Sequence, residues 1–259
     1  MRSPVFLEAR VGYHWNWGIL FQPEPGETGT YLHYLLGGLA WTLATALAAW
    51  VIALVIGSIV GTLRTTPKPW VVRAGNFYVE IFRNIPLIVQ MFLWFFVFPE
   101  VLPTKWGDAI KQITPPWGSY ITAVLCLGVF TSVRIAEQVR AGIQSLPRGQ
   151  RLAATAMGLT QGQAYRYVIL PQAFRIILPP LTSEFMNIIK NSSVALTIGL
   201  MELTGRARAM QEFSFQTFEA YAAATTIYLL TNVIVVLGMR WLERSVRVPG
   251  LIAVEAGGH

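Results

Sequence analysis

Ionised side chains are scarce in this chain of 259 residues. Asp, Glu, Lys and Arg make up 13% of it, while hydrophobic residues reach 54%. Soluble domains usually carry about 25% charged residues. The balance argues against one or two ordinary soluble domains and points to a polytopic membrane protein. The single cysteine, Cys126, excludes an intramolecular disulfide and a cysteine-based zinc cluster. It lies in an apolar run and reads as a small core- or lipid-facing residue. The three histidines, His14, His33 and His259, are scattered outside the apolar segments, so neither a metal site nor a proton relay is expected. No G-x-x-x-x-G-K-[ST] phosphate loop occurs, so any ATP must be handled by another chain. A Ser/His/Asp set cannot be assembled at membrane depth, which argues against an enzyme. Residues 1–30 lack a continuous apolar core and are broken by Pro23 and Pro25, so no cleavable signal peptide is expected.

Acids are also outnumbered, 13 against 20 Lys and Arg, giving a formal net charge of +7. These cations cluster at the ends of apolar segments, which fits orientation in a bilayer better than a nucleic-acid face. A crossing helix needs about 20 mainly apolar residues. Five candidate spans satisfy this, at roughly 35–63, 75–98, 119–146, 174–200 and 219–242. The second is polar in its first half and interrupted by Pro86. The fourth contains Pro179-Pro180, which should kink its entrance. One set of connections holds Arg64, Lys68 and Arg73, then Arg148, Arg151 and Arg166, then Arg240, Arg244 and Arg247. The opposite set balances Lys105 and Lys111 with Glu100 and Asp108, and Arg206 and Arg208 with Glu202, Glu212 and Glu219. The positive-inside rule then puts the N-terminus outside and the C-terminus in the cytoplasm. Residues 1–34, with Trp15, Trp17 and Tyr31, read as an outer interfacial segment, 35–245 as the membrane domain and 246–259 as a cytoplasmic tail.

The connection 147–171 is too polar to span. Its apolar positions recur at helical spacing through Leu152, Ala153, Ala156, Met157 and Leu159, then Tyr165, Val168 and Ile169. Gly158 and Gly162 interrupt the pattern. Two short helices beside the membrane, closed by Pro171, are predicted; an interfacial amphipathic segment gives the same pattern.

"AATAMGLTQGQAYRYVILP" resembles the EAA loop of permease subunits of ABC importers: Glu-Ala-Ala, three residues, Gly, nine residues, Ile-x-Leu-Pro. Ala153, Ala154, Gly158 and Val168-Ile169-Leu170-Pro171 keep that spacing, while Leu152 stands where the family usually has glutamate. "VEIFRNIPLIVQMF" (79–92), "AEQVRAGIQSLPRGQ" (136–150) and "SEFMNIIKNSSVALTIGL" (183–200) resemble the family's second, third and fourth spans. The combination is similar to the polar amino-acid branch, glutamate/aspartate permeases in particular. The resemblance implies the all-α type I importer permease fold in a bacterial inner membrane. It implies a second permease, a related chain rather than an identical copy, a cytoplasmic ATPase dimer that binds ATP and Mg, and a periplasmic binding protein. Ala153, Ala154, Met157, Gly158, Leu159, Leu170 and Pro171 would then form the coupling lever on the ATPase. The transport would proceed by alternating access.

Ionisable groups near the bilayer centre cost a few kcal/mol or more and usually face a cavity or a partner. At 1.5 Å per residue, Arg134 lies about 18 Å from the helix end near Leu146. Arg134, Glu137, Gln138 and Ala141 form one stripe by spacing. Either Arg134 and Glu137 are a structural pair, or the stripe lines the translocation cavity with Arg134 facing the substrate. Relatives often run Ser-x-Tyr-x-Ala-Glu, whereas this chain has Arg134 at the site after Val133, and a guanidinium fork suits a carboxylate. Glu137 would then balance a substrate ammonium or hold Arg134 in place. Asn187, Lys190 and Asn191 on the fourth span are further cavity candidates, or helix-packing groups; Gln90 on the second is a weaker one. Glu80 and Arg83 read as an ion pair or snorkelling pair near the cytoplasmic end of that span. These observations favour uptake of an acidic L-amino acid. Permeases for neutral or basic amino acids and a stand-alone secondary transporter are the alternatives, the last opposed by an odd number of spans.

Overall fold

The computed structural model describes residues 13–26 and 29–246. Residues 1–12, most of the predicted tail and His259 lie outside the described residues. Among the described residues the architecture is helical.

Helix α1 (Tyr31–Leu63) begins four residues before the predicted start, because Thr30 caps it by accepting the His33 N–H at 3.3 Å. Its buried stripe is built from small residues, Ala46, Ala49, Ala53, Gly57 and Gly61. In a bilayer apolar area alone does not hold helices together, so close approach of small residues must. The stripe packs along α6 (Trp117–Gln144), the most extensive helix contact in the molecule. A β-carbon on Gly57 would lie 2.7 Å from the Ser132 carbonyl oxygen, and one on Gly61 would lie 2.6 Å from that of Ala136.

The predicted second span is two helices. α2 (Pro69–Asn84) and α3 (Leu87–Phe92) meet at an angle of 101° around Ile85-Pro86. Ile85 is extended, as the residue before proline prefers. A π-helical turn (Leu93–Val97) joins α3 to α4 (Phe98–Val101). The short α5 (Thr104–Lys111) follows, tied back by Lys111 to Glu100 at 2.7 Å.

After α6 come α7 (Arg148–Ala156) and the turn α8 (Gln161–Ala164). A π-helical turn (Tyr165–Ile169) leads directly into α9 (Leu170–Asn191), which a 3-10 turn (Ser192–Ile198) extends. Pro171 therefore does not close the loop. The π turn lets Leu170 donate to the Tyr165 carbonyl, so the helix enters Pro171 without a break. The helix also runs through Pro179-Pro180. α10 (Leu203–Ser214) is a helix that the sequence pattern did not suggest; α11 (Thr217–Val246) covers the predicted fifth span.

Among the described residues three helices, α1, α6 and α11, are long and apolar enough to cross a membrane individually, and the bent α2–α4 unit, taken as one span, makes a fourth. α9 falls short of that measure, since Arg175, Glu184 and Lys190 dilute its apolar face. It is seated by packing instead: Ile177 and Leu181 meet Ile135, Val139 and Ile143 of α6 in one core cluster.

The opposite end is organised by two buried acids that sequence counting treated as loop charges. Glu202 accepts from the Gly205 N–H (2.9 Å), the Tyr228 hydroxyl (2.8 Å) and the Thr42 hydroxyl (3.2 Å), joining α10, α11 and α1. Glu219 accepts from the Asn16 N–H at 2.6 Å and from the Tyr13 hydroxyl, fastening the N-terminal segment to α11. Trp15 and Trp17 stack beside it, 5.8 Å apart and both exposed.

Candidate functional site

The bend at Pro86 and the close α1–α6 seam together shape a cleft on α6. α2 is pinned there by Val79 against Val133 and Ala136, and by a 2.7 Å hydrogen bond between the Tyr78 and Ser132 hydroxyls. Between the helices lies a cleft of about 610 Å³ lined by Phe82 and Arg83 of α2 and by Phe130, Val133, Arg134, Glu137 and Gln138 of α6. Three of the sequence candidates, Arg134, Glu137 and Gln138, thus share a wall.

Gln90 does not join them. It is 2% exposed, and its Nε2 donates to the carbonyls of Phe82 (2.8 Å) and Ile85 (3.0 Å). Those carbonyls lose their helical partners at the bend, so Gln90 serves as the clamp of the kink.

Of the two readings of Arg134, the structural pair with Glu137 does not form. Glu137 is held by two other guanidiniums, Arg64 Nη2 at 2.9 Å and Arg140 Nε at 3.2 Å. Arg64, read earlier as a loop cation, has a 6% exposed side chain and donates its Nε to Asn76 Oδ1 at 2.8 Å. The α1–α6 seam draws Arg64 into the protein, where it meets Glu137. Arg134 turns the other way. Its Nη1 lies 3.5 Å from Oε2 of Glu184 on α9, and its guanidinium sits 5.1 Å over the Phe130 ring. Gln138 Nε2 donates to Glu184 Oε1 at 3.4 Å. Arg134 remains about half exposed, 47% of its side chain, whereas Glu184 is 13% exposed. The pair is long and its guanidinium end is solvated, so Arg134 is open to an anion in the cleft while Glu184 keeps Gln138 as a donor.

Glu184 precedes Asn187 by three residues and Asn191 by seven, but the cleft walls do not include Asn187, Lys190 or Asn191. Asn187 and Asn191 are half-buried further along α9, and Lys190 is exposed. Arg83 moves the other way. It is the last-but-one residue of α2, beside the bend. Among the described residues no ion pair joins it to Glu80; it lines the cleft. Glu184 and Arg83 were the residues that sequence reasoning undervalued. Their signal was an ionisable group inside an apolar stretch.

At the other end of α6 the 147–171 connection forms short helices, α7 and α8, as the spacing predicts. α7 ends where Gly158 adopts φ +77°, a left-handed conformation that favours glycine. The Leu159 N–H then donates to the Ala154 carbonyl at 3.1 Å. Thr160 and Gln163 cap α8 reciprocally. Ala154 is fully buried, while Leu152 and Met157 are 70% and 72% exposed and present an apolar face outward. Ala153, Gly158 and Pro171 are also exposed, and Leu159 and Leu170 are half-buried. Tyr165 anchors the lever: its hydroxyl donates to the Thr65 carbonyl at 2.8 Å, and Arg151 lies over its ring at 5.7 Å. The lever is thereby attached to the residue next to Arg64.

Residues 32–248 match the family model described as binding-protein-dependent transport system inner membrane component. The chain is 49% identical over 237 residues to the glutamate/aspartate import permease protein GltJ of Escherichia coli K12, covering 91% of this chain and 96% of that one. It is 32% identical over 212 residues to a probable glutamine ABC transporter permease of Bacillus subtilis, covering 81% and 91%. Among solved structures it is similar to an amino acid ABC transporter crystallised with histidines, with a TM-score of 0.71, 29% identity and coverage of 83% and 95%. A chain of the MetNI methionine transporter in an inward-facing conformation shares the fold, with a TM-score of 0.72 at 22% identity, covering 88% and 100%.

Proposed function

The chain belongs to the family of binding-protein-dependent transport system inner membrane components, and from that premise we propose that its α2–α6 cleft passes an acidic L-amino acid. The chain is a permease subunit of an amino-acid ABC importer and not itself an enzyme. The substrate it serves is glutamate or aspartate. The observation that carries this reading is Arg134: a half-exposed guanidinium in mid-helix, facing a cleft and only weakly held by Glu184. The likeness to a glutamate/aspartate permease supports the same substrate.

Around this cleft the subunit works by alternating access with a second, related permease chain that completes the pathway. A binding protein delivers the substrate from the periplasmic side, where the N-terminus lies. On the cytoplasmic side, with the C-terminus, an ATPase dimer holding ATP and Mg docks on the apolar face of α7 around Leu152, Ala153 and Met157. The membrane is the bacterial inner membrane. The exposed stripes of α1 and α11 meet lipid or the second permease.

The test is uptake of radiolabelled L-glutamate by proteoliposomes holding the whole complex and its binding protein. Arg134→Ala should reduce uptake by about tenfold or more, the loss expected for a charged hydrogen-bond partner, in a complex that still assembles. Unchanged uptake would contradict the assignment.

A further inference from the structure

Resting on that reading of the cleft, we propose that Arg83 is a second substrate-holding residue, so that the cleft offers one guanidinium to each carboxylate of a dicarboxylic amino acid. Two arginines, 51 positions apart in sequence, line the same cleft from facing helices, Arg83 on α2 and Arg134 on α6. The other charges around them are already engaged. Glu137 is neutralised by Arg64 and Arg140, and Glu184 accepts from Gln138 and faces Arg134. Among the described residues, none of the ion pairs includes Arg83. It is the uncommitted cation of the cleft.

Position and surroundings fit the role. Arg83 is the last-but-one residue of α2, directly before the 101° bend. Gln90 fixes that bend by bonding the Phe82 and Ile85 carbonyls that precede Pro86, so the side chain starts from a rigid point. Phe82 and Phe130 flank the two arginines. A substrate with two carboxylates then meets two guanidiniums. A substrate with one carboxylate leaves one guanidinium unmatched, which is a means of discrimination.

Equilibrium binding of radiolabelled L-glutamate to the purified complex in lipid nanodiscs, with the binding protein omitted, tests this. Arg83→Gln should weaken binding by about tenfold or more, as should Arg134→Gln. Arg83→Lys keeps the charge but loses the fork, and should fall between the parent and Arg83→Gln. It also decides the matter if Arg83→Gln does not assemble. Parent-like binding by the Arg83 variants together with weakened binding by Arg134→Gln would overturn the role of Arg83 and leave the cleft reading standing. Parent-like binding by both sets, or no binding by the parent complex, would overturn the cleft reading itself.

Discussion

Two ion pairs one helical turn apart on α6 have opposite characters. Arg64 and Glu137 meet at 2.9 Å with an arginine side chain 6% exposed, while Arg134 and Glu184 meet at 3.5 Å with an arginine 47% exposed. The first is ringed by Asn76 and Arg140 and stitches α1, α2 and α6 together. The second borders the cleft and has one further polar partner, Gln138. Losing Arg64 breaks charged hydrogen bonds to Glu137 and Asn76 at once, at a buried guanidinium. The guanidinium of Arg134 is solvated and can be reached by an incoming ion. The difference assigns structure to one and substrate handling to the other, although the sequence presents them as a single stripe.

Breaking the buried pair should have the largest effect. Arg64→Met leaves Glu137 with Arg140 alone and Asn76 without its donor, and should destabilise the subunit by about 2–3 kcal/mol. Arg134→Met combined with Glu184→Met, which removes both charges of the second pair together, should cost about 1 kcal/mol or less. Thermal unfolding of the purified complex reads both, and equal losses would erase the distinction. Next comes the seam that brings Arg64 to Glu137. Gly61→Ala places a methyl 2.6 Å from the Ala136 carbonyl, and overpacking of this kind costs about 1–3 kcal/mol. It should lower the unfolding midpoint, and an unchanged midpoint would show that the seam yields freely.

A smaller change sharpens the comparison on the cytoplasmic side. Tyr165→Phe removes the hydroxyl that ties the lever to Thr65, at a stability cost of about 1 kcal/mol. Because Thr65 adjoins Arg64, the bond links the lever to the buried pair. The expected outcome is less glutamate imported per ATP hydrolysed, measured as the ratio of uptake to phosphate release. A parent ratio would confine Tyr165 to packing.

The helices, α7 and α8 included, were legible because they rest on local physics. Apolar length marked α1, α6 and α11, and Gly158 marked the end of α7. Pairing was not legible, because partners come from distant segments. Glu137 has Arg140 three residues on, and Arg134 three residues before, yet nothing in the spacing announces Arg64 from α1. Gln90 looked like a cavity residue because a polar side chain in an apolar span is ambiguous; only the bend at Pro86 reveals the carbonyls that it serves. Arg83 was read as an end-of-span cation because nothing in the spacing shows the bend beside it or the cleft that it lines. Glu202 and Glu219 were counted as surface charge, although both are fully buried.

The central claim is that substrate occupies the cleft between α2 and α6. Cys126, the chain's single cysteine, is buried, so Gln138→Cys supplies one accessible thiol on the cleft wall. Labelling that thiol with a charged thiol reagent during turnover should slow several-fold when L-glutamate is transported. Identical labelling rates with and without L-glutamate would contradict the account.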